Sequence, residues 1–217
     1  MKTRSIITTV LIYLLLLFCA SAQTSSLSPQ TQAVYEACIR LTKAIGSGSK
    51  VGLQAANKAF KACQAKEFSQ LEVLDDKPLS LNNHFVFDEV FIDSLIAGRH
   101  VYQFAQRYAD SRTVRGFSSS GNIFIATHAV SGNSSASYSF RSKGRQELAV
   151  VAEPGGKITL RIHDKTHDTW YNDTEKVKEG KSSRLLAFDL PENGISVLEI
   201  EVINTTSRDI SFAIISN

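Results

Sequence analysis

Between residues 163 and 173 the chain gathers side chains able to hold a ligand: His163, Asp164, His167, Asp168, Trp170, Tyr171, Asn172 and Asp173. Three readings fit them. His163 and His167, with an aspartate, offer the nitrogen and oxygen donors that zinc accepts if a loop folds them onto one ion; apart from that metal alternative no cofactor is expected. Trp170 and Tyr171 offer rings on which a sugar can stack, with Asp168, Asn172 and Asp173 as hydrogen-bonding neighbours. The third reading is structural, a charged hairpin loop with Trp170 folded back over one end of the domain.

Elsewhere the chemistry is thinner. Arg99, Arg107, Arg112, Arg115, Arg141 and Arg145, with Lys143, bias the middle of the chain toward positive charge, which suits either an acidic glycan or a solvated sheet face balanced by acids elsewhere. Asp88, Glu89 and Asp93 are the carboxylates a glycan hydrolase would need. The run from Gly116 to Gly121 is one residue too long for a Gly-x-Ser-x-Gly nucleophile turn. No zinc-protease helix, phosphate-binding glycine loop or calcium loop is written in the sequence. His84, His100 and His128 sit singly in strand-like runs. Asn133, Asn172 and Asn204 each open an Asn-x-Ser/Thr sequon, of use only in a eukaryotic host.

Helices and strands must position these residues. Ser28-Pro29 reads as an N-cap and first-turn proline, followed by an apolar stripe at Val34, Ala37, Cys38, Leu41, Ala44 and Ile45. Gly46 to Ser49 interrupts it, and a second stripe runs through Leu53, Ala56, Ala59, Phe60 and Cys63. A helical hairpin over 23–68 is expected. From 69 to 217 the period becomes two, at Phe85/Phe87, Tyr102/Phe104, Ile123/Ile125, Tyr138/Phe140, Leu148/Val150, Ile158/Leu160/Ile162, Leu186/Phe188/Leu190, Leu198/Ile200/Val202 and Ile210/Phe212/Ile214. Turn residues separate these runs, at 131–133, 154–156, 191–194 and 204–208. Residues 88–98 can form a short helical turn. The fold class expected is α+β, mainly β: a two-helix hairpin followed by an antiparallel, jelly-roll-like β-sandwich.

From about Tyr138 onward the chain resembles the prepeptidase C-terminal type of secreted β-sandwich. The likeness rests on Tyr138-x-Phe140, Gly144, Leu148-x-Val150, Gly155-Gly156, Ile158-x-Leu160-x-Ile162, Phe188-x-Leu190-Pro191, Val202-x-Asn204 and Phe212-x-Ile214. It departs from that family where Lys157-Ile158-Thr159-Leu160 replaces an acidic strand motif, and no attached protease is expected. What the resemblance implies is a non-catalytic accessory or binding module.

Lys2 and Arg4, the apolar run from Ile6 to Ala20 and the small residues Ala20-Ser21-Ala22 read as an export signal over 1–22, cleaved before Gln23. The leader resembles bacterial ones, and Cys19 leaves a lipoprotein alternative. The apolar run is too short for a membrane span, so no transmembrane segment is expected after cleavage. Hydrophobic residues make up 43% and charged residues 21%, and the net charge of +3 falls when Lys2 and Arg4 leave, which excludes a disordered chain and disfavours nucleic acid as partner. Export leaves Cys38 and Cys63 as a pair in an oxidising compartment, periplasmic or extracellular, where a disulfide is expected. The functional expectation is an exported, non-catalytic binding or assembly module of the bacterial cell envelope or extracellular space, with a protein or carbohydrate partner; a secreted glycan-acting hydrolase is the alternative.

Overall fold

The computed structural model of the protein describes residues 27–75, 79–81, 85–98, 123–172, 180–192 and 194–217. The expected export signal over 1–22 with Cys19, His84, His100, Tyr102, Phe104, Arg99, Arg107, Arg112, Arg115, the glycine-flanked run 116–121 and Asp173 lie outside them.

Helix α1 spans Pro29–Gly46 and α2 spans Lys50–Cys63. Both begin where the capping chemistry demands. Ser28 Oγ accepts the Thr31 N–H at 3.3 Å and Ser49 Oγ accepts the Gly52 N–H at 3.0 Å, each satisfying an amide that has no partner within its helix. Gly48 makes the reversal between them at φ +64°, a conformation that costs a glycine nothing. Val34, Ala37, Cys38 and Leu41 of α1 and Ala56 and Phe60 of α2 are buried as their spacing predicts.

Among the described residues ten strands follow: β1 (Lys66–Glu67), β2 (Glu72–Val73), β3 (Phe124–Val130), β4 (Ser135–Ser142), β5 (Arg145–Ala152), β6 (Ile158–Asp164), β7 (Thr169–Asn172), β8 (Ser183–Asp189), β9 (Ser196–Asn204) and β10 (Ile210–Ser216). They form two five-stranded sheets, ordered β1-β3-β10-β5-β8 and β2-β4-β9-β6-β7. Every pairing is antiparallel except β1 with β3. The fold is thus mainly β, an N-terminal helical hairpin followed by a sandwich.

Two cores lie on opposite sides of the first sheet. Leu148, Val150 and Ala152 of β5, with Ile210, Phe212 and Ile214 of β10, point between the sheets and meet Ile158, Leu160, Ile162, Leu198, Ile200 and Val202. The alternate residues Ala149, Val151, Ala213 and Ile215 point outward and are covered by Val34, Ala37, Leu41 and Phe60 of the helices. Strands buried on both faces carry unbroken apolar runs instead of alternation. Each of these large aliphatic side chains contributes about 1.5–3 kcal/mol by leaving water.

The Phe85/Phe87 alternation does not make a strand. Asp88 instead caps a helix, α3 (Glu89–Ile96), its Oδ1 accepting the Phe91 N–H at 2.6 Å. Phe85 packs edge-on against Phe87 and Phe91, with ring centroids at 4.6 and 4.9 Å. The expected Cys38–Cys63 bridge is also corrected: both are free thiols. Cys38 is fully buried as an apolar packer, and Cys63 Sγ donates to the Ala59 carbonyl of its own helix at 3.1 Å, so each satisfies its surroundings without bonding the other. Among the described residues no helix is long and apolar enough to cross a membrane.

Candidate functional site

The second sheet has its inner face in the core, and among the described residues no helix covers its outer face. Strict alternation along β9 places Leu198, Ile200 and Val202 inside and leaves Glu199 and Glu201 outside. Register then determines the outer rows. Ser139, Glu199, His163 and Trp170 stand side by side on β4, β9, β6 and β7, and Ser137, Glu201 and Arg161 form the next row, which reaches Asn172 of β7.

Trp170 is the prominent group on this face, 55% exposed. Its ring lies flat against that of His163, centroids 4.3 Å apart and planes 5° from parallel. With one face covered by the imidazole, the exposed part of the indole belongs to its other face and edge. His163 Nε2 in turn pairs with Asp168 Oδ1 at 2.8 Å. Arg161 Nη1 meets Glu201 Oε2 at 3.2 Å, and Lys165 Nζ meets Glu199 Oε2 at 2.8 Å.

The β6–β7 turn that holds Trp170 opposite His163 is organised by Asp164, which is fully buried. Its carboxylate accepts the Thr166 N–H at 2.9 Å, the His167 N–H at 3.3 Å, His167 Nδ1 at 2.8 Å and Ser196 Oγ at 2.7 Å. Burial alone pushes this carboxyl up, but the bonds from Ser196, His167 and the turn amides outweigh it and hold it below the ordinary aspartate range. Asp168 then reverses the chain at φ 49°, a left-handed conformation that aspartate tolerates better than most residues. The turn is also tied to β9, where Thr166 Oγ1 accepts the Val197 N–H at 2.9 Å.

Several expectations change on this geometry. Trp170 lies on a strand, not in a loop, and does not cover the end of the sandwich. Tyr171 falls on the opposite face by alternation and stacks on Phe188 at 4.1 Å beside the core, so it is no part of the same platform. Asp168 stands beside the Trp170–His163 pair, while Asn172 ends the strand. His163 and His167 are engaged by different aspartates, and among the described residues no group of three or more His, Cys, Asp or Glu side chains gathers where a metal could sit.

Ser196 was not singled out by its sequence context. With His167 and Asp164 it completes a serine, histidine and aspartate set, yet both its hydroxyl, at 3.3 Å, and the carboxylate meet the same nitrogen, Nδ1. A nucleophilic triad needs them on opposite ring nitrogens. This is a turn-fixing network. The Asp-x-x-His spacing and the serine opening β9 were its signals, legible once the two strands are known to be neighbours.

Two of the three carboxylates a hydrolase would use, Asp88 and Asp93, are engaged. Asp88 caps α3, and Asp93 takes Asn57 Nδ2 at 2.6 Å and Lys61 Nζ at 3.2 Å. Burial raises the Glu89 carboxyl. Of the sequons, Asn204 is buried and donates to the carbonyls of Ser131 at 3.0 Å and Arg208 at 2.7 Å, whereas Asn133 lies exposed in a turn.

No family model matches the chain, and no curated protein matches its sequence. Among solved structures it is similar to the pre-peptidase C-terminal domain of a Bacillus anthracis collagenase, at 12% identity over 43% of this chain and 87% of that one, with a TM-score of 0.32. That is the weak resemblance expected from the strand pattern. It is also similar to a Yersinia pseudotuberculosis-derived mitogen, at 10% identity over 44% of this chain and 85% of that one, TM-score 0.34. A third is the periplasmic inhibitor of g-type lysozyme from Salmonella Typhimurium, at 13% identity over 46% of this chain and 91% of that one, TM-score 0.31. Likeness this distant says nothing of a ligand.

Proposed function

We propose that this protein is an exported, non-catalytic binding module of the cell envelope or extracellular space, and that it takes a carbohydrate on the outer face of its second sheet at Trp170. One observation carries the reading. The chain's single tryptophan is 55% exposed yet held flat against His163 on a hydrogen-bonded strand. An exposed indole costs solvation unless something covers it, and a sheet holds it more rigidly than a loop does. The apolar ring faces of sugars stack on such a surface while hydroxyls bond to polar neighbours. Asp168, Glu199 and Arg161 supply those neighbours.

A glycan array probed with the full-length protein and with Trp170→Ala tests this. The expected result is selective binding that the substitution weakens by about tenfold or more. Binding equal in the two proteins, or none to any glycan, overturns it.

A further inference from the structure

Among the described residues, each cation beside Trp170 on this face has an opposite partner. Arg161 is matched by Glu201 at 3.2 Å, Lys165 by Glu199 at 2.8 Å, and Asp168 bonds the His163 ring at 2.8 Å. Farther out, Arg141 on β4 and Glu72 on β2 are of opposite sign. A charged ligand here would have to displace a partner already in place or lose water without a counter-charge, and either cost opposes binding.

An uncharged, hydroxyl-rich ligand meets neither cost. Glu199 and Glu201 meet their cations through Oε2, and a carboxylate has lone pairs enough to accept a hydroxyl as well. Arg161 has five N–H donors in its fork, and one nitrogen faces Glu201. Along the row from Trp170 through His163 to Glu199 there are two inter-strand steps, about 10 Å. That is farther than one six-membered ring reaches.

On the reading that Trp170 binds carbohydrate, we propose that its ligand is an uncharged glycan of at least two sugar units, one stacked on Trp170 and the next hydrogen-bonded over the Arg161, Glu199 and Glu201 ladder. The charge pairs next to Trp170 oppose acidic polysaccharides. Replacing Glu201 leaves Arg161 without its partner and opens the face to acidic sugars.

The test is a fluorescence and calorimetric titration of the full-length protein with cellohexaose, chitohexaose and maltohexaose as neutral probes, their monosaccharides, and oligogalacturonate as the acidic probe, at low and high salt. At least one neutral hexasaccharide is expected to bind with less than about twofold change between the salt conditions. Its monosaccharide binds about tenfold or more weakly, Trp170→Ala loses the binding, and Glu201→Gln gains salt-sensitive binding of oligogalacturonate. Melting curves confirm that both variants fold. If the unsubstituted protein prefers oligogalacturonate and loses it in Trp170→Ala, the uncharged assignment is overturned while the carbohydrate reading stands. If a monosaccharide binds as well as its hexamer, the two-unit assignment is overturned. If no probe binds, or Trp170→Ala changes nothing, both the inference and the reading beneath it fail.

Discussion

Ser28, at the head of α1, is bound by Glu147 of β5 from 119 positions along the chain: its N–H donates to Oε1 at 2.8 Å and its hydroxyl to Oε2 at 2.7 Å. The carboxylate therefore sits at the positive end of the helix dipole and fastens the helical hairpin to the first sheet. Burial works to raise its pKa, but the bonds from Thr31 and Ser28 and the nearby charge of Arg145 outweigh burial and lower it.

Glu147→Ala is expected to cost about 2 kcal/mol in urea unfolding, the scale of a charge-assisted cap. Because the folded pKa lies below the unfolded one, Glu147 stabilises fully above the ordinary glutamate value. That contribution is lost as pH falls through the depressed folded value. Unfolding midpoints of wild type and variant should converge as the pH is lowered toward acid.

His128 should make the protein weaker in mild acid. Its ring lies 4.4 Å from that of Tyr138 and 6.3 Å from that of Phe212, and burial lowers its pKa from 6.5 to about 4. Between those values the unfolded chain binds the proton and the folded one does not, so stability falls as pH drops from 6.5 toward 4, by about 3 kcal/mol in all. His128→Phe keeps a ring in the core and should remove most of that dependence in melts taken between neutral pH and pH 4.

Asp164→Ala removes the acceptor of two turn amides, His167 Nδ1 and the Ser196 hydroxyl. A loss of about 2–4 kcal/mol is expected from the donors left without it. Since the turn sets Trp170 against His163, the emission of the single tryptophan should change as well. A destabilised variant with unaltered native emission would show that β7 holds Trp170 without the turn.

Cys38 and Cys63 should both alkylate in unfolded protein without added reductant. Burial raises the Cys38 thiol, with Cys63 adding to the effect, and burial raises the half-buried Cys63 thiol too. In the native state Cys63 should therefore react slowly with maleimide and Cys38 not at all. Mass spectrometry of the native protein showing the pair linked would contradict the free thiols.

Much of this architecture is legible in the chain alone. Ser28-Pro29, the break from Gly46 to Ser49 and the apolar stripes of α1 and α2 are local signals, because an N-cap, a glycine break and a helical period act within a few residues. The alternation that marks β4 and β9 is equally local. Tertiary structure decided the rest. Nothing in a short stretch tells Ala149, Val151, Ala213 and Ile215 that helices will cover them, since an apolar run buried on both faces reads the same whatever lies above it. Residues 163–172 look like a polar loop until pairing with β6 separates Trp170, outward against His163, from Tyr171, inward against Phe188. The two cysteines, even in number on adjoining helices, suggested a bridge that the packing of each helix leaves unmade. Local sequence encodes which way successive side chains alternate. What each of them then faces depends on contacts between segments far apart in the chain, which no local period records.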